Sequence, residues 1–162
     1  MSTNGKKNYY EIDPLKQAYR DRIVEAPGQI QSLEKHNTAL LSIDMQYLDA
    51  ARGYGVFADA VSSGLPPESL DYYFDRLANL VFPNVSQLQE AFRTNRLEII
   101  HTRIQSMTQD GRDRGPGHKR LGLHAAPGSK EAEFIPEVAP KGDEIIVNKT
   151  ASGVFNSTNL EY

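Results

Sequence analysis

Apolar residues concentrate in three short runs, "ALLSIDM" at 39–45, "LEIIHTRI" at 97–104 and "DEIIVNK" at 143–149. Nearly continuous apolar runs of this length predict strands of a parallel sheet buried on both faces. Between the first two, Leu70, Tyr73, Phe74, Leu77, Val81, Val85, Leu88 and Phe92 recur at spacings of three and four and predict one face of a helix. Pro83 falls inside that pattern; it lacks an amide hydrogen and crowds the preceding turn, so a kink or a second helix beginning there is expected. The stretch 51–69 is rich in Gly, Ser and Pro and predicts irregular chain. "NSTNLEY" at 156–162 opens a further helix, with Asn156, Ser157 or Thr158 available as its N-cap. Residues 1–37, polar and aromatic and broken by Pro14, Pro27 and Gly28, read as an arm with one short helix near Leu15 to Val24.

The order strand, helix, strand, crossover, strand is that of a parallel α/β sheet. Three parallel strands alone leave edges and faces uncovered, so the rest of a sheet is expected to complete them. At 162 residues and 39% hydrophobic, the chain is in the size range of one domain with a substantial core. Its 18 basic and 21 acidic residues are mixed along the sequence, for a net charge of -3, which argues against a nucleic-acid partner. No window approaches the roughly 18 apolar residues of a membrane span, and the first 14 residues lack the apolar core of a signal peptide. A soluble, cytoplasmic protein without membrane partners is the expectation. Cysteine is absent, so these 162 residues hold no disulfide, thiolate metal site or thiol nucleophile.

Two ionisable residues, Asp44 and Lys149, directly follow predicted strands, and open α/β sheets bind ligands beyond the carboxyl ends of their strands. A carboxylate and an ammonium facing one cleft suit proton transfer, with burial and the opposite charge setting the acidity. The plainer alternative, Asp44 capping a turn and Lys149 solvated, stands beside it. Arg103, at the end of the second strand, is a candidate for polar substrate contact or a surface ion-pair residue. The segment 105–129 is too long for an idle connection, and such loops are often functional. Its "DGRDRGPGHKR" matches neither common glycine-rich phosphate pattern, and is read as a mobile solvated loop in preference to a clamp for a substrate carboxylate. His101 reads as a strand-end residue, and His118 and His124 as loop histidines.

"LLSIDMQ", "EIIHTR", "EFIPEVAP" with "GDEIIVNK", and "KTASGVFNSTNLE" together resemble the isochorismatase-like cysteine hydrolase family, over roughly residues 38–162. The family includes nicotinamidases, carbamoylsarcosine amidases, ureidoacrylate hydrolases and isochorismatases. Two motifs carry the likeness: an apolar strand ending Asp44-Met45-Gln46, and Lys149 followed by Phe155, Thr158 and Leu160. The resemblance implies a Rossmann-like three-layer α/β/α sandwich with a mostly parallel sheet in the order 3-2-1-4-5-6. Of this sheet the chain supplies about the first three strands. It also implies an aspartate–lysine–cysteine set, with Asp44 the base that deprotonates the thiol, Lys149 the cation beside it, and the cysteine beyond residue 162. The expected activity is hydrolysis of a C–N bond in a small amide or ureide-like substrate, with no cofactor.

Gln46, Tyr47, Arg103 and Phe155 are candidate substrate contacts. Relatives often continue Gln-Asn-Asp-Phe where this chain has Gln46-Tyr47-Leu48-Asp49, so Tyr47 is the candidate to replace that phenylalanine's contact, and Gly153 stands where many relatives carry serine. The zinc ligands of nicotinamidases have no counterpart in "HTRIQSMTQDG" or in the spacing of His101, His118 and His124, so no metal is expected. Two alternatives remain open: a cysteine-independent vinyl-ether hydrolase of isochorismate type with Asp44 as acid, and a non-catalytic fragment or interaction module. The expected partners are a small-molecule substrate, the remaining carboxy-terminal half of the fold, and further copies of the chain, with the aromatic arm at 1–37 suited to subunit packing. The isolated 162 residues are predicted to be inactive.

Overall fold

The computed structural model describes residues 37–59 and 64–160, together with the isolated residues Ala18, Arg22 and Lys35. Two units divide the chain, Met1–Leu33 and Glu34–Tyr162, and the account below is of the second. The amino-terminal arm and its helix near Leu15 to Val24 lie outside the described residues, apart from Ala18 and Arg22, which are helical.

The three predicted strands form: β1 is Ala39–Ile43, β2 Glu98–Ile104 and β3 Ile145–Lys149. They make one parallel sheet in the order β1-β2-β3. The registers pair Ile43 with Thr102 and Ile104 with Lys149, so all three strands end at nearly the same level. Asp44 directly follows β1 and Lys149 closes β3, which brings both to one edge of the sheet. The architecture is α/β, as the pattern predicts.

Between β1 and β2 come a single turn α1, Tyr47–Ala50, then α2, Pro67–Arg76, and α3, Phe82–Thr94. The chain between α2 and α3 stays helical through a wide π turn, Leu77–Val81, closed by the Phe82 N–H on the Leu77 carbonyl. Pro83 explains the turn: in regular α geometry its ring would press on the carbonyl four residues back, and the wider turn removes that clash. The extra residue also moves the buried face one position downstream. Leu70, Phe74 and Leu77 are buried as predicted, but Gln89 takes the interior place that the spacing assigned to Leu88, which is 46% exposed. Gln89 meets its polar requirement by donating from Nε2 to the Val138 carbonyl at 3.0 Å.

Two apolar clusters hold these elements. One joins Ala50, Leu70, Phe74 and Leu77 to Ile135 and Val138 of the segment that follows the long loop. The other gathers Leu48, Ile104, Leu123, Ala125 and Ala132 beneath the carboxyl end of the sheet. The segment 105–129 is laced together rather than free, which corrects the expectation of a mobile solvated loop. Asp113 accepts from the Met107 and Thr108 amides and the Thr108 hydroxyl, and the Ser106 amide donates to the Ala125 carbonyl. A short helix, α4, Pro116–Arg120, forms inside it. The helix expected from Asn156 is not present among the described residues: 154–160 form turns. Thr158 Oγ1 still accepts from the Leu160 amide, the bond an N-cap makes.

Glu144, just ahead of β3, ties the layers together. Its carboxylate accepts from Arg93 Nε at 2.6 Å and Nη2 at 3.0 Å, from His101 Nε2 at 2.8 Å, and from the Lys141 amide at 3.0 Å. Burial opposes its ionisation, but the bonds from Arg93, Lys141 and His101 and the charge of Arg93 prevail and hold the carboxyl at about 2, from 4.5. A carboxyl more acidic in the folded chain stabilises the fold above its unfolded pKa, and that contribution is lost as pH falls from about 4.5 towards 2. Glu144→Gln is therefore expected to lower the unfolding free energy by about 2 kcal/mol at pH 7. The gap to the parent should close as urea titrations are repeated down to pH 2.

Candidate active site

The site begins with how β1 ends. Asp44 adopts a left-handed backbone, φ 56°, which Asp tolerates better than most residues. This turns the chain out of the strand while the Asp44 amide still bonds the Thr102 carbonyl at 3.0 Å. Met45 and Tyr47 then exchange backbone bonds with Ile135 and Glu133, around an antiparallel bridge between Gln46 and Phe134. The Gln46 side chain continues the β1–β2 ladder where the backbone has left it. Its Oε1 accepts from the Ile104 amide at 2.6 Å, and its Nε2 donates to the carbonyls of Ile104 at 2.9 Å and Glu131 at 2.8 Å. A carboxamide here acts as a peptide group.

The turn brings Asp44 Oδ2 to 2.7 Å from Lys149 Nζ. β1 and β3 flank β2, so their chains lie about 9.6 Å apart, and the lysine stem crosses the end of β2 to reach the acid. The Lys149 side chain is 2% exposed and the Asp44 side chain 25%. Asp44 Oδ1 is buried with no protein partner among the described residues.

Two further ionisable groups stand against the pair, and motif reading missed both. Asp49, in the turn of α1, is raised from 3.8 to about 6, by burial first and then by the charge of Asp44, with Lys149 opposing. The Tyr73 hydroxyl donates to its backbone carbonyl at 2.9 Å, and burial and Asp49 push the Tyr73 phenol up in turn. His118 of α4 is 3% exposed, which corrects its reading as an ordinary loop histidine. Its pKa is lowered by burial, then by Lys149, with Asp44 opposing and Arg114 adding to the depression. Asp49 lies five residues after Asp44, a separation that carries no periodic signal, and His118 had none either.

The other candidates are placed differently. Gln46 is fully buried and its carboxamide is engaged within the fold. Tyr47 packs edge-on to Tyr54, 5.3 Å between ring centres, with Lys130 Nζ 4.0 Å over its ring. Arg103 shares the sheet face of Asn148, opposite to that of Lys149, and donates to Asn148 Oδ1 at 2.7 Å and the Ala132 carbonyl at 2.9 Å. Phe155 is 63% exposed. Of the residues singled out from sequence, the fold brings Asp44 and Lys149 together.

Asp44→Asn suits the left-handed turn but leaves a buried ammonium unbalanced, so unfolding free energy should drop by about 3 kcal/mol. Asp44→Ala should lose roughly 1 kcal/mol more through the backbone, and adding Lys149→Met to Asp44→Asn should restore most of the loss in urea titration. Asp49 gives the opposite pH signature. Its native pKa is raised, so its burial costs nothing below about 3.8 and an increasing amount as pH climbs from there through about 6. Asp49→Asn should thus melt at a higher temperature than the parent at pH 7 to 8 and at the same temperature near pH 4.

A family model described as the isochorismatase domain matches residues 38–162. Among solved structures, a cysteine hydrolase from Pseudomonas syringae pv. phaseolicola 1448A aligns with 81% of this chain and 55% of its own, at 21% identity and a TM-score of 0.54. An isochorismatase family protein from Desulfovibrio vulgaris subsp. vulgaris str. Hildenborough aligns with 76% and 57%, at 19% identity and a TM-score of 0.51. These likenesses are of fold, and the chain spans little more than half the length of those structures. The search of curated proteins found no match. With a domain match across 38–162 and the parallel α/β sheet these structures share, the chain belongs to the isochorismatase domain family.

Proposed function

We propose that the protein, completed by the remaining half of the fold, is an isochorismatase-like hydrolase that cleaves the C–N bond of a small amide or ureide-like substrate. The observation that carries this reading is the 2.7 Å contact between Asp44 and a fully buried Lys149 at the carboxyl edge of the sheet. A buried lysine is costly unless paired. Here the pair lies where α/β sheets bind ligands, and one oxygen of Asp44 is free of protein partners among the described residues.

In this mechanism a cysteine supplied from outside the 162 residues gives its thiol proton to Asp44. Lys149 favours both the ionised acid and the thiolate. The sulfur attacks the carbonyl carbon; as the C–N bond breaks, the leaving nitrogen takes the proton back from Asp44. Water, deprotonated by Asp44, then cleaves the thioester and frees the thiol. The raised pKa of Asp49, about 6, fits a second carboxyl that stays partly protonated beside Asp44 near neutral pH.

The test is a panel of small amides, ureides and vinyl ethers against the intact enzyme, with Asp44→Asn alongside. Amide turnover, falling at least 100-fold in the variant while far-ultraviolet circular dichroism is unchanged, is the expected result. Undiminished amide hydrolysis by Asp44→Asn would sink the proposal. Turnover confined to vinyl ethers would reassign Asp44 as a general acid.

A further inference from the structure

Beside the Asp44–Lys149 pair, the loop before α4 meets the chain that leaves β3. The Gly115 amide bonds the Thr150 carbonyl at 2.9 Å, and the Gln105 amide bonds the Lys149 carbonyl at 3.0 Å. These tethers hold the loop before α4 against the chain leaving β3. The approach is close: a Cβ added at Gly115 would come within 2.9 Å of the Ala151 methyl. Across this seam the imidazole Nε2 of His118 lies 3.1 Å from the Ser152 hydroxyl oxygen. His118 is almost wholly buried and its Nδ1 has no partner among the described residues, whereas Ser152 is exposed. His118 feels the charges of both Lys149 and Asp44, which places the seam beside that pair.

The hydrogen-bond inventory fixes what the pair offers. Burial, Lys149 and Arg114 keep the imidazole neutral, so it carries one N–H. Buried donors without partners are rarer than unpartnered acceptors, so the proton belongs on Nε2, directed at Ser152 Oγ. The serine hydroxyl then accepts from His118 and is left to donate its own hydrogen outward. The local charge adds a preference. Arg114 bonds the carbonyls of Gly111 at 3.0 Å and Leu123 at 2.6 Å, so its hydrogen bonds leave its positive charge unbalanced. Lys149 also acts on His118 through its charge, which Asp44 matches.

We infer that Ser152, oriented by His118, is a substrate-binding residue that donates a hydrogen bond to a carboxylate on the substrate, in the positive field of Arg114. The inference rests on the hydrolase reading above and narrows its substrates to small amides or ureides that also carry a carboxylic acid, placed so that this group meets Ser152 while the scissile carbonyl meets the Asp44 side. It also gives "DGRDRGPGHKR" a role through Arg114 and His118, whereas Arg112 is exposed and paired with Asp110.

Binding can be read without turnover. The full chain, carrying 15N-labelled histidine, would be titrated at pH 7 and constant ionic strength with N-acetylglycine and, separately, with N-acetylglycinamide, which differs only in lacking the charge. His118→Gln identifies the resonance. The expected result is a saturable shift of the His118 ring signals with N-acetylglycine and affinity at least tenfold weaker for the amide. Ser152→Ala should weaken N-acetylglycine about tenfold, as loss of one hydrogen bond to a charged group predicts, while Ser152→Thr, which keeps the hydroxyl, should retain it. Equal affinity for the two probes, no shift at His118, or unchanged binding by Ser152→Ala would overturn the inference. A failure of the hydrolase reading shows instead as absent amide turnover in the intact enzyme with this titration intact.

Discussion

A lysine ammonium buried at the end of a strand constrains the whole carboxyl edge of this sheet. Removing such a charge from water costs several kcal/mol unless an opposite charge and good geometry offset it. Lys149 ends β3 and its counter-ion directly follows β1, with β2 between those strands. The pair therefore forms only if all three strands stop at the same level, and the register does this by setting Ile43 beside Thr102 and Ile104 beside Lys149. A slip of one residue in either ladder would turn the side chains to opposite faces and leave the lysine unpaired.

Meeting that requirement displaces the backbone, and the displacement is absorbed nearby. Asp44 leaves the strand in a left-handed conformation, so the next rung of the β1–β2 ladder has no backbone to fill it. The carboxamide of Gln46 fills it instead, serving both the amide and the carbonyl of Ile104 while also fixing the Glu131 carbonyl. One tripeptide, Asp44-Met45-Gln46, thus turns the chain, extends the sheet and anchors the segment that carries Ile135 and Val138 into the core. The acid is presented at the carboxyl edge of the sheet by a turn that the glutamine stabilises.

The same edge collects groups whose acidities pull against each other. Asp49 is held in its neutral form further up the pH scale because burial and Asp44 both oppose its charge, and His118 is kept neutral because burial, Lys149 and Arg114 do so. Elsewhere on the sheet, Glu144 shows the contrary outcome: burial also opposes its charge, but four donated hydrogen bonds and an adjacent guanidinium keep it ionised. Burial and partners together decide which carboxyl stays charged.

The sequence by itself determined the three strands, the helical stretch between the first two and the two ends of the ion pair. Apolar runs of strand length, a three-four helical spacing and the Asp-Met-Gln and lysine motifs are local, and local chemistry of this kind survives translation into structure. The tertiary structure decided the rest. Whether Leu88 or Gln89 faces inward depended on one extra residue in the π turn before Pro83, a phase shift that a spacing count cannot register. Whether Gln46 met substrate or backbone depended on a ladder with a missing rung. The segment 105–129 looked solvated because its composition is polar and glycine-rich. Its Asp113 and Ser106 instead satisfy the loop's own amides and carbonyls, and the folded loop carries His118 against Ser152, 34 residues further along. Polar side chains are ambiguous in sequence because the same groups bind water or protein equally well, and only the fold fixes which partner is within reach.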